Sequence, residues 1–80
     1  MTGDDLPHAA RLAHGRMLDA FDAFARGLVE RERAAMRDHL LETGMTPERA
    51  AQGAEAHVAR IEQAMQIERA RLEAEGARTQ

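Results

Sequence analysis

The 80-residue chain contains no cysteine. Disulfides, thiolate zinc sites and iron–sulfur centres are therefore excluded, and so is a cysteine nucleophile. Serine is absent as well, which removes the commonest hydroxyl nucleophile. Lysine is missing, so all eleven basic residues are arginine. Aromatic residues amount to Phe21 and Phe24, with no tryptophan or tyrosine. That is too few for a stacking platform along single-stranded nucleic acid. No apolar run approaches the roughly 18 residues that a membrane-spanning helix needs. The opening Met1-Thr2-Gly3-Asp4-Asp5 is polar and acidic and does not read as a secretion signal. The expectation is a cytoplasmic protein of a bacterial host. No Gly-rich phosphate loop occurs, and no cofactor is expected.

Alanine and charge dominate what is present. Hydrophobic residues make up 44% of the chain, but 17 of them are alanine. A single small domain with so few bulky apolar side chains is secured by helix packing or by a partner chain. The net charge of −3 is spread evenly, which argues against a generally basic nucleic-acid binder. An alanine- and arginine-rich chain without lysine matches a GC-rich genome.

Thr43-Gly44-Met45-Thr46-Pro47-Glu48 is the one clear punctuation mark. Gly44 suits the left-handed position just past a helix end, with Met45 placed to touch Leu40. Thr46 suits an N-cap, Pro47 the first helical position, and Glu48 the positive end of the helix dipole. These signals predict one helix over about 6–43 and a second over about 47–75, with 77–80 as a frayed tail after Gly76. In the second helix Ala51, Val58, Met65 and Leu72 recur every seven residues, with Ala54 and Ile61 between them and Glu68 interrupting the seam. The small residues Ala50, Ala51, Gly53, Ala54 and Ala56 let the backbones approach closely near the turn. The first helix carries a stripe of Met17/Leu18, Phe21, Phe24/Ala25, Leu28/Val29, Ala35/Met36 and Leu40. Asp22 and Arg26 form an i,i+4 pair on its polar side. Gly27 fits close packing against another helix.

Closing the hairpin near residue 45 makes facing residue numbers add to about ninety. Leu40 then meets Ala50, Met36 meets Ala54, Leu28 meets Ile61, Phe24 meets Met65 and Leu18 meets Leu72. Gly76 faces His14 and Gly15, and Leu6–Ala13 overhangs. The fold class is thus all-α, a long antiparallel helical hairpin. One stripe per helix leaves the hairpin open on one side, so the expectation is a homodimeric four-helix bundle. Its core would comprise Met17, Phe21, Phe24, Leu28, Val29, Ile61, Met65 and Leu72. The competing arrangement is a three-helix monomer with a short N-terminal helix broken off at His14-Gly15.

His8, His14, His39 and His57 include Asp5-x-x-His8 and His39-x-x-Glu42, but neither pair finds a second half in this register, and no metal site is expected. The helix around Asp19, Asp22, Glu30 and Arg31 resembles the first helix of the small all-helical chorismate mutases. Those enzymes use a lysine that this chain lacks, and no catalytic residue is assigned; the chain is expected not to be an enzyme. Two charged stripes remain. Glu48, Glu55 and Glu62 recur every seven residues and form a candidate acidic contact ridge for a target protein. Arg26, Arg33 and Arg37 form a candidate contact for nucleic acid.

In size, charge and hairpin pattern the whole chain resembles the small, cysteine-free, all-helical inhibitors carried by bacteriophages, anti-CRISPR proteins among them. That resemblance implies a non-enzymatic protein that binds a host complex, such as a type I CRISPR surveillance complex, and blocks it sterically. The hairpin also resembles two other families: the plasmid copy-control hairpins that dimerise and bind paired RNA loops, and the oligomerisation hairpin of phage small terminase subunits.

Overall fold

A computed structural model describes residues 5–78 of the chain, with side chains described from His8 to Ala77. Two helices account for it: α1, Asp5–Glu42, and α2, Pro47–Arg78. They pack antiparallel as a rod with extents of 64 × 17 × 13 Å. No strand occurs among the described residues.

The turn is built from the residues that the sequence singles out. Gly44 has φ +95°. The Met45 N–H donates to the Leu40 carbonyl at 3.2 Å and the Gly44 N–H to the Leu41 carbonyl at 3.0 Å. This pair of bonds is a Schellman cap, which satisfies carbonyls that the end of α1 would leave orphaned. The Thr43 hydroxyl adds a bond to the Leu40 carbonyl at 2.7 Å. On the far side the Arg49 N–H donates to Thr46 Oγ1 at 3.3 Å, and the Ala50 N–H to the Thr46 carbonyl at 2.9 Å. Thr46 is thus the N-cap of α2, with Pro47 at its first position, where a missing N–H costs nothing.

Facing pairs follow the expected register. Arg33 meets Glu55, Glu32 meets His57 and Asp22 meets Arg69. A Cβ added at Gly53 would lie 2.5 Å from Leu40 Cδ1, and one added at Gly76 would strike the His14 imidazole. Among the described residues Ala50, Ala54 and Val58 are the fully buried apolar side chains, all in the half of α2 next to the turn, and Gly76 is buried at the far end.

Four local expectations are corrected. First, α1 runs unbroken through His14-Gly15, so no separate N-terminal helix exists to build a three-helix monomer. Glycine weakens a helix by about 1 kcal/mol, too little to break one that is helix-forming on both sides. Second, α2 continues past Gly76 through Ala77 and Arg78; residues 79–80 lie outside the described residues. Gly76 packs beside His14 and does not act as a stop. Third, the seam at the turn passes through Ala50, while Ala51 is exposed. Inward positions there step by four in both helices, at Glu32, Met36 and Leu40 and at Ala50, Ala54 and Val58. A strict seven-residue repeat requires supercoiling, and an uncoiled helix drifts away from it by about 20° per heptad. Fourth, Gly27 does not mediate packing of α1 on α2; a Cβ there would meet only Arg31 of its own helix, at 3.3 Å.

Candidate functional site

At 100° per residue, Asp22 and Val29 of α1 and Glu62 and Arg69 of α2 turn to one flank of the hairpin. They border an open groove of about 570 Å³, lined by eleven residues. Phe21, Ala25, Val29 and Met65 form its floor, and Arg26, Glu30, Arg33, Glu62, Gln66 and Arg69 complete the rim with Asp22. The bulky Phe21 and Met65 floor the groove, whereas the small Ala50 and Ala54 fill the helix contact near the turn.

The rim charges are largely paired across or along the helices. Arg69 grips Asp22 in a fork, Nε to Oδ1 at 2.8 Å and Nη2 to Oδ2 at 3.2 Å, and also bonds Glu73 of its own helix. Hydrogen bonding from Arg69 holds the Asp22 carboxyl below the 3.8 usual for aspartate, against a smaller opposing effect of desolvation. The same bond raises the Arg69 guanidinium. Arg33 reaches Glu30 at 2.5 Å and Glu55 at 2.7 Å, and these two carboxylates raise its pKa in turn. Asp22 therefore pairs with Arg69 across the hairpin, and the expected partner Arg26 contributes only a charge at longer range.

The two charged stripes are not separate surfaces. Glu55 of the acidic ridge is tied to Arg33 of the arginine stripe. Glu62 shares the groove rim with Arg26 and Arg33. Glu48 is exposed in the first turn of α2. Arg37 is exposed beside Asp38, with 4.0 Å between the charged atoms. Of the eight residues expected in a dimer core, Phe21, Val29 and Met65 line the groove, and Leu28, Ile61 and Leu72 are half-buried between the helices. Phe24 is 56% exposed and Met17 42%. The stripe of α1 is thus split: Ala25 faces α2 where Phe24 was expected to.

Arg69 and the Glu32–His57 pair, 3.1 Å apart, were not singled out in the sequence. The ninety-sum register held the signal for both, since it sets residue 22 opposite 68 and residue 32 opposite 58. Among the described residues no group of three or more His, Cys, Asp or Glu side chains is placed to hold a metal ion. None of the described helices is long and apolar enough to cross a membrane. No family model, curated protein or solved structure matches the chain.

Proposed function

We propose that the chain is a non-enzymatic, dimeric binding protein of the bacterial cytoplasm that acts by covering a surface of a partner protein. In its most specific form this is a phage-type inhibitor that occludes a type I CRISPR surveillance complex. The observation that carries the reading is the pairing of Arg33 with both Glu30 and Glu55. It merges the acidic and arginine stripes into one surface of mixed sign. Mixed charge around an apolar floor suits a protein partner, where charge complementarity sets specificity. A polyanion such as RNA favours unopposed cations, so the copy-control alternative, and with it Arg26, Arg33 and Arg37 as its contacts, is the less supported. Of the acidic ridge, Glu48 and Glu62 are left to face a target.

The test is affinity capture by the tagged full chain from GC-rich bacterial lysates, with and without a type I CRISPR system and with and without nuclease. The expected result is a surveillance complex retained after nuclease treatment and weakened by Glu62→Arg. Recovery of RNA or DNA that nuclease abolishes would replace this reading with the nucleic-acid one.

A further inference from the structure

The flank opposite the groove carries the most exposed bulky apolar side chains of the rod's middle. Ile67 is 66% exposed and Phe24 56%. Helical geometry sets them on the same side: Phe24 is turned by roughly 160° from Asp22 on the groove, with Met17 seven residues away beside it, and Ile67 is turned by roughly 140° from Glu62 and 160° from Arg69. By the register they lie at nearly the same height across the hairpin. Ala20 lies one turn from Phe24 on this flank and Ala64 beside Ile67, so a second backbone can come close at the alanines, while the Arg31 side chain lies over Gly27. Phe24 also sits midway along α1, so pairing there lets two rods overlap along their whole length.

The exposed area of the whole rod is of the size that a second copy would cover. A compact monomer of 8.9 kDa exposes about 4,800 Å², whereas this chain exposes 6107 Å². The excess, about 1,300 Å² per chain, matches what one partner contributes to an obligate dimer interface. Its radius of gyration of 18.5 Å compares with about 12 Å for a compact 80-residue domain. Two rods laid side by side remove that excess, and an isologous contact needs only the one patch.

We infer that two copies of the chain pair through the Met17–Phe24–Ile67 flank, which leaves the groove and Glu62 on the outside of the dimer. This rests on the dimeric reading above and differs from a core containing Phe21, Val29 and Met65.

Analytical ultracentrifugation of the full chain tests it, alongside circular dichroism. The wild type should sediment at twice 8.9 kDa. Phe24→Ala/Ile67→Ala should raise the dissociation constant by about 30-fold or more, as buried anchor residues do, with helicity kept at high concentration. Phe24→Asp should abolish the dimer. Glu62→Arg, on the groove, should leave the dimer unchanged. A monomeric wild type would overturn both the dimer and this interface. A dimer that tolerates the double alanine variant, or that Glu62→Arg breaks, would overturn the interface alone. Loss of target capture with an intact dimer would count only against the functional reading.

Discussion

The two ends of the rod are held together in different ways. Next to the turn, Ala50, Ala54 and Val58 are buried and Leu40 lies directly over Gly53. Toward the open end Phe21, Met65 and Leu72 are only half-buried, and the helices are bridged by polar contacts such as Asp22–Arg69. Small side chains allow close backbone approach, and close approach excludes water. Larger side chains toward the open end leave a groove on one flank, while charged pairs cross the hairpin in both halves, Arg33–Glu55 and Glu32–His57 beside Ala54 and Val58 and Asp22–Arg69 beyond them. The chain has concentrated its cohesion at one end and its exposed chemistry toward the other.

If that division is right, substitutions at the turn end should dominate stability. Val58→Asp should have the largest effect. An unpaired buried carboxylate costs several kcal/mol, a large part of the roughly 5–15 kcal/mol that holds a domain together, and thermal melts by circular dichroism should lose their cooperative transition. Gly44→Ala comes next. With φ at +95° a Cβ is strained there, at about 1–2 kcal/mol, and the melting temperature should fall.

The glycines of the interface sharpen the comparison. Replacing either by alanine gains about 1 kcal/mol of helix propensity. At Gly53 the new methyl must displace Leu40 inside the packed end, so Gly53→Ala should lower the melting temperature. At Gly76, itself buried, it strikes the His14 ring, which is half-exposed near the open end and can turn outward to make room, so Gly76→Ala should lower the melting temperature less than Gly53→Ala. An equal or larger loss at Gly76 would erase the distinction between the ends. The smallest effect belongs to the exposed ion pair. The Asp22 carboxyl is held below its ordinary value in the folded chain, so its stabilisation is present above the usual carboxylate range and is lost as pH falls through the lowered value. Asparagine mimics the protonated acid, so Asp22→Asn should match the wild type at low pH, lose a little stability at neutral pH where the ion pair is charged, and so flatten the acid side of the stability–pH curve.

The hairpin was legible because its signals are local. Gly44 and Pro47 act through their own backbone and Thr46 through a hydroxyl that caps a residue three positions on, and together they fixed the turn and with it the register along the rod. The inward face of α1 was legible only to within one residue. Phe24 and Ala25 are neighbours separated by 100°, and hydrophobicity alone prefers Phe24 for the interior. The structure turns Ala25 inward, since the line from Phe21 to Leu28 passes through it. The groove was not legible, because it depends on the gap between helices and hence on the side-chain sizes of both at once. Likewise the charges were read along each helix, where Asp22–Arg26 looks favourable, while the stronger partner, Arg69, lies 47 residues away in sequence.

The capped turn has a consequence for how the molecule assembles. Every facing pair is nested inside the next, so the span between partners grows steadily from 22 residues at Arg33–Glu55 to 47 at Asp22–Arg69. Closing the short turn brings the first pair together, and each further pair then closes only a small additional loop. The hairpin should form as a zipper from the turn outward and open in the reverse order. Amide hydrogen exchange should therefore be slowest around Ala54 and Val58 and quicken toward Gly76 and His14, a gradient of protection written along one rod.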